Sequence, residues 1–67
     1  MRQEYRWEFV EIGQGHHHRE LDCCFQAAVL NSRKKPDLLI KIEIFRPESE
    51  REVIGFLKDG RFLNRIR

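Results

Sequence analysis

The chain is short and highly charged, with 67 residues, 36% of them charged, and a formal net charge of +2. This length predicts one domain, residues 1–67, with a core small enough that a partner subunit or unusually close packing is expected to support it. The near balance of acidic and basic residues favours a soluble protein over one that binds nucleic acid by charge alone. There is neither a membrane-spanning apolar run nor a signal-peptide pattern at the N-terminus, so we expect a cytoplasmic protein without membrane contact.

Residues 5–12 alternate between two sides and predict a first strand. Its aromatic side, with Trp7 as the main anchor because an indole buries a large apolar area, is expected to face the core. That side carries Tyr5, Trp7 and Phe9. Residues 13–18 contain two glycines and three consecutive histidines, and this composition predicts a flexible loop.

Residues 19–32 fit two periodicities. Apolar residues recur at helical spacing, but strand alternation fits the same stretch equally well. The helical set is Leu21, Cys24, Phe25, Ala28 and Val29. Composition favours a helix at about 19–31, although no side chain before Arg19 is suited to cap its first amides. Such a helix would carry a second apolar stripe, formed by Cys23, Ala27 and Leu30, on the side away from the sheet.

Residues 38–66 predict a three-stranded antiparallel meander. Asp59-Gly60 suits a two-residue type I′ hairpin, which pairs Leu57 with Phe62. A loop at residues 47–50, which begins with a proline, pairs Ile44 with Val53 and Arg46 with Arg51. Because the two turns agree on register, we expect one apolar face. That face comprises Leu38, Ile40, Ile42, Ile44, Val53, Gly55, Leu57, Phe62, Asn64 and Ile66.

The sequence therefore predicts an α+β fold of order β-α-β-β-β, with one helix packed on a small mixed sheet that ends in an antiparallel meander. The first strand would join beside strand 38–45 through a right-handed crossover. If residues 19–31 form a strand instead, the alternative is an all-β, five-stranded antiparallel barrel or sandwich.

Two clusters invite a chemical interpretation, and neither predicts a site. Three consecutive histidines at 16–18 rarely converge on one metal ion, so no metal and no cofactor is expected. Cys23 and Cys24 are adjacent, so a bridge between them would close no loop. No oxyanion or Gly-rich element accompanies these thiols, and we expect a non-enzymatic protein with no evident small-molecule substrate.

The second sheet face suggests how the protein acts, because it mixes aromatic and aliphatic residues with charges of both signs, as interfaces do. We expect a protein-binding module, adaptor or inhibitor-like, that self-associates into a homo-oligomer or binds another protein. The binding residues would be Phe45, Ile54, Phe56 and Leu63. The alternative is a small nucleic-acid-binding domain that uses the basic and aromatic residues of the same face. Its basic residues would be Lys34, Lys35, Lys41, Lys58, Arg61 and Arg65.

Overall fold

A computed structural model describes residues 3–48 and 50–63. They form five strands and one helix: β1 (Glu4–Phe9), β2 (Gly15–His18), α1 (Leu21–Lys34), β3 (Ile40–Phe45), β4 (Glu52–Lys58) and β5 (Arg61–Phe62). The strands make one sheet in the order β2-β1-β3-β4-β5, and every neighbouring pair is antiparallel. The α+β class, with one helix on a sheet, is confirmed, and the sheet is open rather than closed into a barrel.

The predicted loop at residues 13–18 is wrong for its last four residues, Gly15–His18, which form β2 and pair with β1. The connecting turn is closed by two backbone hydrogen bonds, from Phe9 N to Gln14 O and from Gly13 N to Phe9 O, each 2.8 Å long. Gly13 adopts φ +74° here. At Gly15 a Cβ atom would collide with the backbone carbonyl oxygen of Trp7, so only glycine allows this close approach.

This extra strand changes how the first part of the chain reaches β3. The chain returns along β2 before it enters α1, and β1 then pairs with β3 in antiparallel orientation, from Glu4↔Phe45 to Phe9↔Ile40. The predicted position of the first strand beside β3 is therefore confirmed. A right-handed crossover joins neighbouring strands that are parallel. Because β1 and β3 are antiparallel, that part of the prediction is wrong.

The helix that composition predicted at about 19–31 is present as α1. It begins two residues later and ends three residues later than predicted. Its N-cap residue, Glu20, makes no side-chain capping hydrogen bond. Acidic Asp22 in the first turn and basic Arg33 and Lys34 in the last turn complement the helix dipole instead. No helix within the described ranges is long and apolar enough to cross a membrane.

The core lies between α1 and the sheet. The helix contributes a stripe of small buried residues at four-residue spacing, Cys24, Ala28 and Ser32, which lets the helix approach the strands closely. Trp7 is the predicted anchor and is only 4% exposed. Its ring meets that of Phe9 edge to face, with centroids 5.6 Å apart. The strands complete the core with Phe9, Ile40, Ile42 and Leu57.

The last hairpin has the predicted geometry. Asp59 and Gly60 take φ values of 52° and 75°, as a type I′ turn requires at both central positions. Leu57 pairs with Phe62 as expected. The predictions for residues 64–66 fall outside the described residues.

The register predicted between β3 and β4 is correct from Ile40↔Leu57 to Ile42↔Gly55 and wrong beyond that point. A β-bulge at Ile54 shifts the strands, so that Val53 pairs with Glu43, and Ile44 pairs with Glu52 rather than with Val53. Because two residues of β4 then oppose one residue of β3, Ile54 and Gly55 both turn toward the helix side. The predicted Arg46–Arg51 pairing is likewise replaced, and Arg46 makes an ion pair of 2.8 Å with Glu52.

One side-chain hydrogen bond joins the helix to the last hairpin. The Ser32 hydroxyl is fully buried and accepts a hydrogen bond of 2.8 Å from the Gly60 amide. Ser32→Ala would leave that amide without its partner, and we expect the free energy of unfolding to fall by about 1–3 kcal/mol. Chemical denaturation of the variant measures the loss. Cys23→Ala, which also removes one heavy atom from α1 but at an exposed position, is the matched control and should change stability little. Equal stability of both variants would contradict the role assigned to Ser32.

Candidate binding face

The sheet has one side covered by α1 and one side that no helix or strand of the described residues covers. We call the uncovered side the open face. Strand alternation and the observed register define its members. They are Glu4, Arg6 and Glu8 on β1, His17 on β2, Lys41, Glu43 and Phe45 on β3, Val53, Phe56 and Lys58 on β4, Arg61 on β5, and Leu63 directly after β5.

Three of the four residues predicted to bind protein belong to this side. Phe45 and Phe56 are half-buried on the open face. Leu63 follows β5, donates its amide to Phe56 O at 3.0 Å and is 57% exposed. Ile54 was expected beside them, and that placement is wrong, because the bulge turns Ile54 toward the helix side, where it packs against the core.

The same bulge brings Val53 to the open face, where it is 41% exposed. Val53 was predicted to lie in the core because unbroken alternation along β4 would place it there. A signal was present, since a glycine in the interior of a strand, here Gly55, often marks a bulge. The apolar part of the open face is therefore Phe45, Val53, Phe56 and Leu63.

A broad concavity of about 1000 Å³ lies at the β1–β3 end of the open face. It is lined by Arg6, Glu8, His17, Lys41, Glu43, Phe45, Glu50 and Arg51. Acidic and basic groups alternate around it, and several are paired. Arg6 Nε lies 3.5 Å from Glu8 Oε1, and Lys41 Nζ lies 3.6 Å from Glu43 Oε2.

Glu43 is the most unusual residue of this region, because its carboxylate is buried although it lies on the open face. It is 4% exposed. Arg51 Nη1 is 3.9 Å from Oε1, too far for a hydrogen bond, and no group of the described residues donates to that oxygen. A buried carboxylate oxygen without a donor is energetically costly. The sequence places Glu43 among the charges of the mixed face and carries no signal of its burial.

Phe45 is enclosed by cationic and aromatic neighbours at the rim of the concavity. The Arg51 guanidinium carbon lies 5.1 Å from the centre of its ring, within range of a cation–π contact. The ring of His17 meets it edge to face at 5.0 Å. His17 Nδ1 is in turn 3.4 Å from Glu4 Oε1. Arg51 and His17 therefore contribute to the open face through contacts that the sequence did not reveal.

The structure does not gather the residues proposed for nucleic-acid binding into one surface. Lys41, Lys58 and Arg61 lie on the open face, but Lys41 is paired with Glu43. Lys34 and Lys35 belong to the end of α1, which packs on the other side of the sheet. Arg65 lies outside the described residues.

The histidine run lies on a strand, so its side chains alternate between the two sides. His16 and His18 point to the side of Trp7, and His17 belongs to the open face. Across the described ranges no group of three or more His, Cys, Asp or Glu side chains is arranged to hold a metal ion. His18 has a structural contact instead, because its Nε2 accepts a hydrogen bond of 3.2 Å from Trp7 Nε1.

We expect His18→Ala to lower the free energy of unfolding by about 1–2 kcal/mol, because the partly buried indole N–H loses its acceptor. His17→Ala is the matched control. Its side chain is half-exposed, and its contact with Glu4 at 3.4 Å should contribute under about 1 kcal/mol. Thermal or urea denaturation of both variants measures the difference. Equal losses would contradict the alternation of the two histidines.

The two cysteines differ in environment. Cys23 is exposed, whereas Cys24 is fully buried against the core. Burial, with a smaller contribution from the neighbouring Cys23, raises the pKa of the Cys24 thiol from its ordinary value to about 11. Such a thiol is a poor nucleophile at neutral pH, because the reactive species is the thiolate.

Reaction with a disulfide reagent such as DTNB at pH 8 should therefore modify Cys23 and leave Cys24 unmodified until the protein unfolds. The raised pKa leaves on the order of 0.1% of Cys24 as thiolate at that pH, and burial blocks access as well. The native Cys23→Ser variant should show no rapid reaction and should release one equivalent of chromophore in denaturant. Rapid reaction of this native variant would show that Cys24 is accessible.

Comparisons with known proteins add no relative, because no protein-family model, no curated protein and no solved structure matches this chain.

Proposed function

We propose that the protein is a non-enzymatic protein-binding module whose open face forms the interface, with self-association as its simplest form. The observation that carries the proposal is the uncovered side of the sheet with its apolar group of Phe45, Val53, Phe56 and Leu63. Two of these, Val53 and Leu63, are among the exposed large hydrophobic residues of the described chain. Apolar surface of this kind gains free energy when a partner removes it from water.

The small core supports the same proposal. The buried apolar residues come from a single layer between α1 and one side of the sheet. A domain of this size has little stability to spare, and a partner that binds only the folded state adds to it. A partner packed against the open face would cover the second side of the sheet, as α1 covers the first.

The charges of the open face favour protein over nucleic acid as the partner. Arg6 and Lys41 each lie beside a carboxylate of the same face, Glu8 and Glu43 respectively. A phosphate backbone would meet these carboxylates at the same time as the cations, which weakens its attraction. A protein surface can match both signs, with the charged groups around apolar anchors. The unbridged cysteines fit a reducing, cytoplasmic setting.

The test compares the molar mass of wild type and Phe56→Glu by light scattering or sedimentation over a range of concentrations. We expect wild type to associate and Phe56→Glu to remain monomeric, because a carboxylate in the middle of the interface would be buried without a partner. Circular dichroism should show an unchanged fold, since Phe56 points away from the core.

Leu30→Glu is the matched control, because Leu30 is 58% exposed on α1, on the other side of the molecule. This variant should associate like wild type. If it becomes monomeric and Phe56→Glu still associates, the interface is the outer side of α1 instead of the open face. A wild-type protein that stays monomeric at all concentrations would contradict self-association.

A further inference from the structure

A second concavity lies between the β1–β2 turn and the C-terminal end of α1, on the helix side of the sheet. We call it the helix-side pocket. Its volume is about 460 Å³, which is within the range of small-molecule sites in proteins. Trp7 and Phe9, which are 4% and 2% exposed, close it toward the core. Phe56 and the open face are on the other side of the sheet, so the helix-side pocket is separate from the proposed interface.

Polar side chains from three segments of the chain converge on the helix-side pocket. Asn31 on α1 and Lys35 at its C-cap are one helical turn apart, His16 comes from β2, and Gln14 comes from the turn before it. The Asn31 amide is fixed by a hydrogen bond of 2.8 Å to Ala27 O. Across the described ranges, the side chains of Gln14, His16 and Lys35 make no hydrogen bond and no ion pair. These three groups are therefore available to a ligand.

The charge around the helix-side pocket is positive. Among the described residues, its lining includes two cations, Arg6 and Lys35, and no carboxylate. The Arg6 guanidinium is already engaged, because its Nε lies 3.5 Å from Glu8 Oε1 and its Nη2 donates to Gly13 O at 3.3 Å. Lys35 is the cation of this lining that remains available. Its backbone is held at the end of α1 by a hydrogen bond of 3.1 Å from its N–H to Asn31 O.

We propose that the helix-side pocket binds a small organic carboxylate, whose planar body lies beside His16 and whose carboxylate is bound by Lys35. The His16 side chain is exposed, and its ring centroid lies 6.1 Å from that of Trp7, so a ligand ring can contact it above the aromatic floor. The Lys35 ammonium would donate charge-assisted hydrogen bonds to the carboxylate. The amides of Gln14 and Asn31 suit polar substituents of the same ligand. This ligand-binding role goes beyond the proposed interface and does not depend on it.

The first test titrates isotope-labelled protein with benzoate and with benzamide, and follows the backbone amides by NMR. The two probes have the same ring and nearly the same shape, but only benzoate is charged. We expect saturable shifts around the pocket, at residues such as Gln14, Gly15 and Asn31. Benzoate should bind about tenfold more tightly than benzamide, because only the carboxylate forms the charge-assisted contact with Lys35. Equal affinities, or shifts that lie elsewhere or do not saturate, would overturn the proposal.

Lys35→Glu and Lys34→Glu are the matched pair of variants. Both make the same charge change at exposed neighbouring positions, but only Lys35 lines the pocket. We expect Lys35→Glu to weaken benzoate binding about tenfold or more and to leave benzamide binding within about twofold, whereas Lys34→Glu should change both affinities little. Equal losses of benzoate affinity would show general charge attraction and contradict the site. Lys35→Gln, which only removes the charge, replaces Lys35→Glu if circular dichroism shows that the latter does not fold.

Phe56→Glu separates this inference from the proposed function. The substitution lies on the open face, so benzoate should bind this variant as it binds wild type, even where association is lost. If wild type stays monomeric and still binds benzoate through Lys35, self-association fails and the helix-side site stands. If wild type associates through the open face but benzoate produces no saturable shifts, the proposed function stands and the helix-side site is wrong.

Discussion

A single helix can cover only one side of a five-stranded sheet, and this constraint governs the rest of the molecule. α1 has fourteen residues, or about 21 Å of helix, and the core consists of what fits between it and the strands. Small residues on its inner stripe, such as Ala28, allow Trp7 and the β3 isoleucines to fill that layer. The other side of the sheet receives no helix or strand from the described residues, so its apolar groups have no intramolecular layer to pack against.

The bulge in β4 decides which apolar groups belong to which side. Without it, Ile54 would stand on the open face and Val53 in the core. With it, Ile54 packs against the core, and the smaller Val53 comes to the open face beside Glu43. The bulge also bends the strand and increases its local twist, as bulges generally do. The shape of the open face therefore depends on a one-residue irregularity as much as on the composition of β3 and β4.

The parts of the fold that depend on local chemistry were predictable from sequence, and the parts that depend on distant neighbours were not. The turn at Asp59-Gly60 requires two positive φ values, which is a property of two adjacent residues. The strand at Gly15–His18 is stabilised by β1, and its three histidines carry no apolar alternation of their own. Phe56 and Leu63 were placed on the correct side because their register follows from that turn, and Phe45 because it alternates with the buried Ile40 and Ile42 along β3. The burial of Glu43 arises from groups on other strands and the β3–β4 loop, and no local pattern encodes it.

Glu43 bears on both the stability of the monomer and the character of the open face. A buried carboxylate whose Oε1 lacks a donor destabilises the isolated domain, and an apolar residue at that position would be expected to raise its stability. The same replacement would make the open face more uniformly apolar. Such a face would associate with other apolar surfaces with less specificity. Lys41 and Arg51 lie 3.6 and 3.9 Å from the two carboxylate oxygens, so Glu43 holds two cations beside the apolar group and keeps the face mixed in character. A partner for such a face must match charges as well as apolar surface, which narrows the set of partners it can bind.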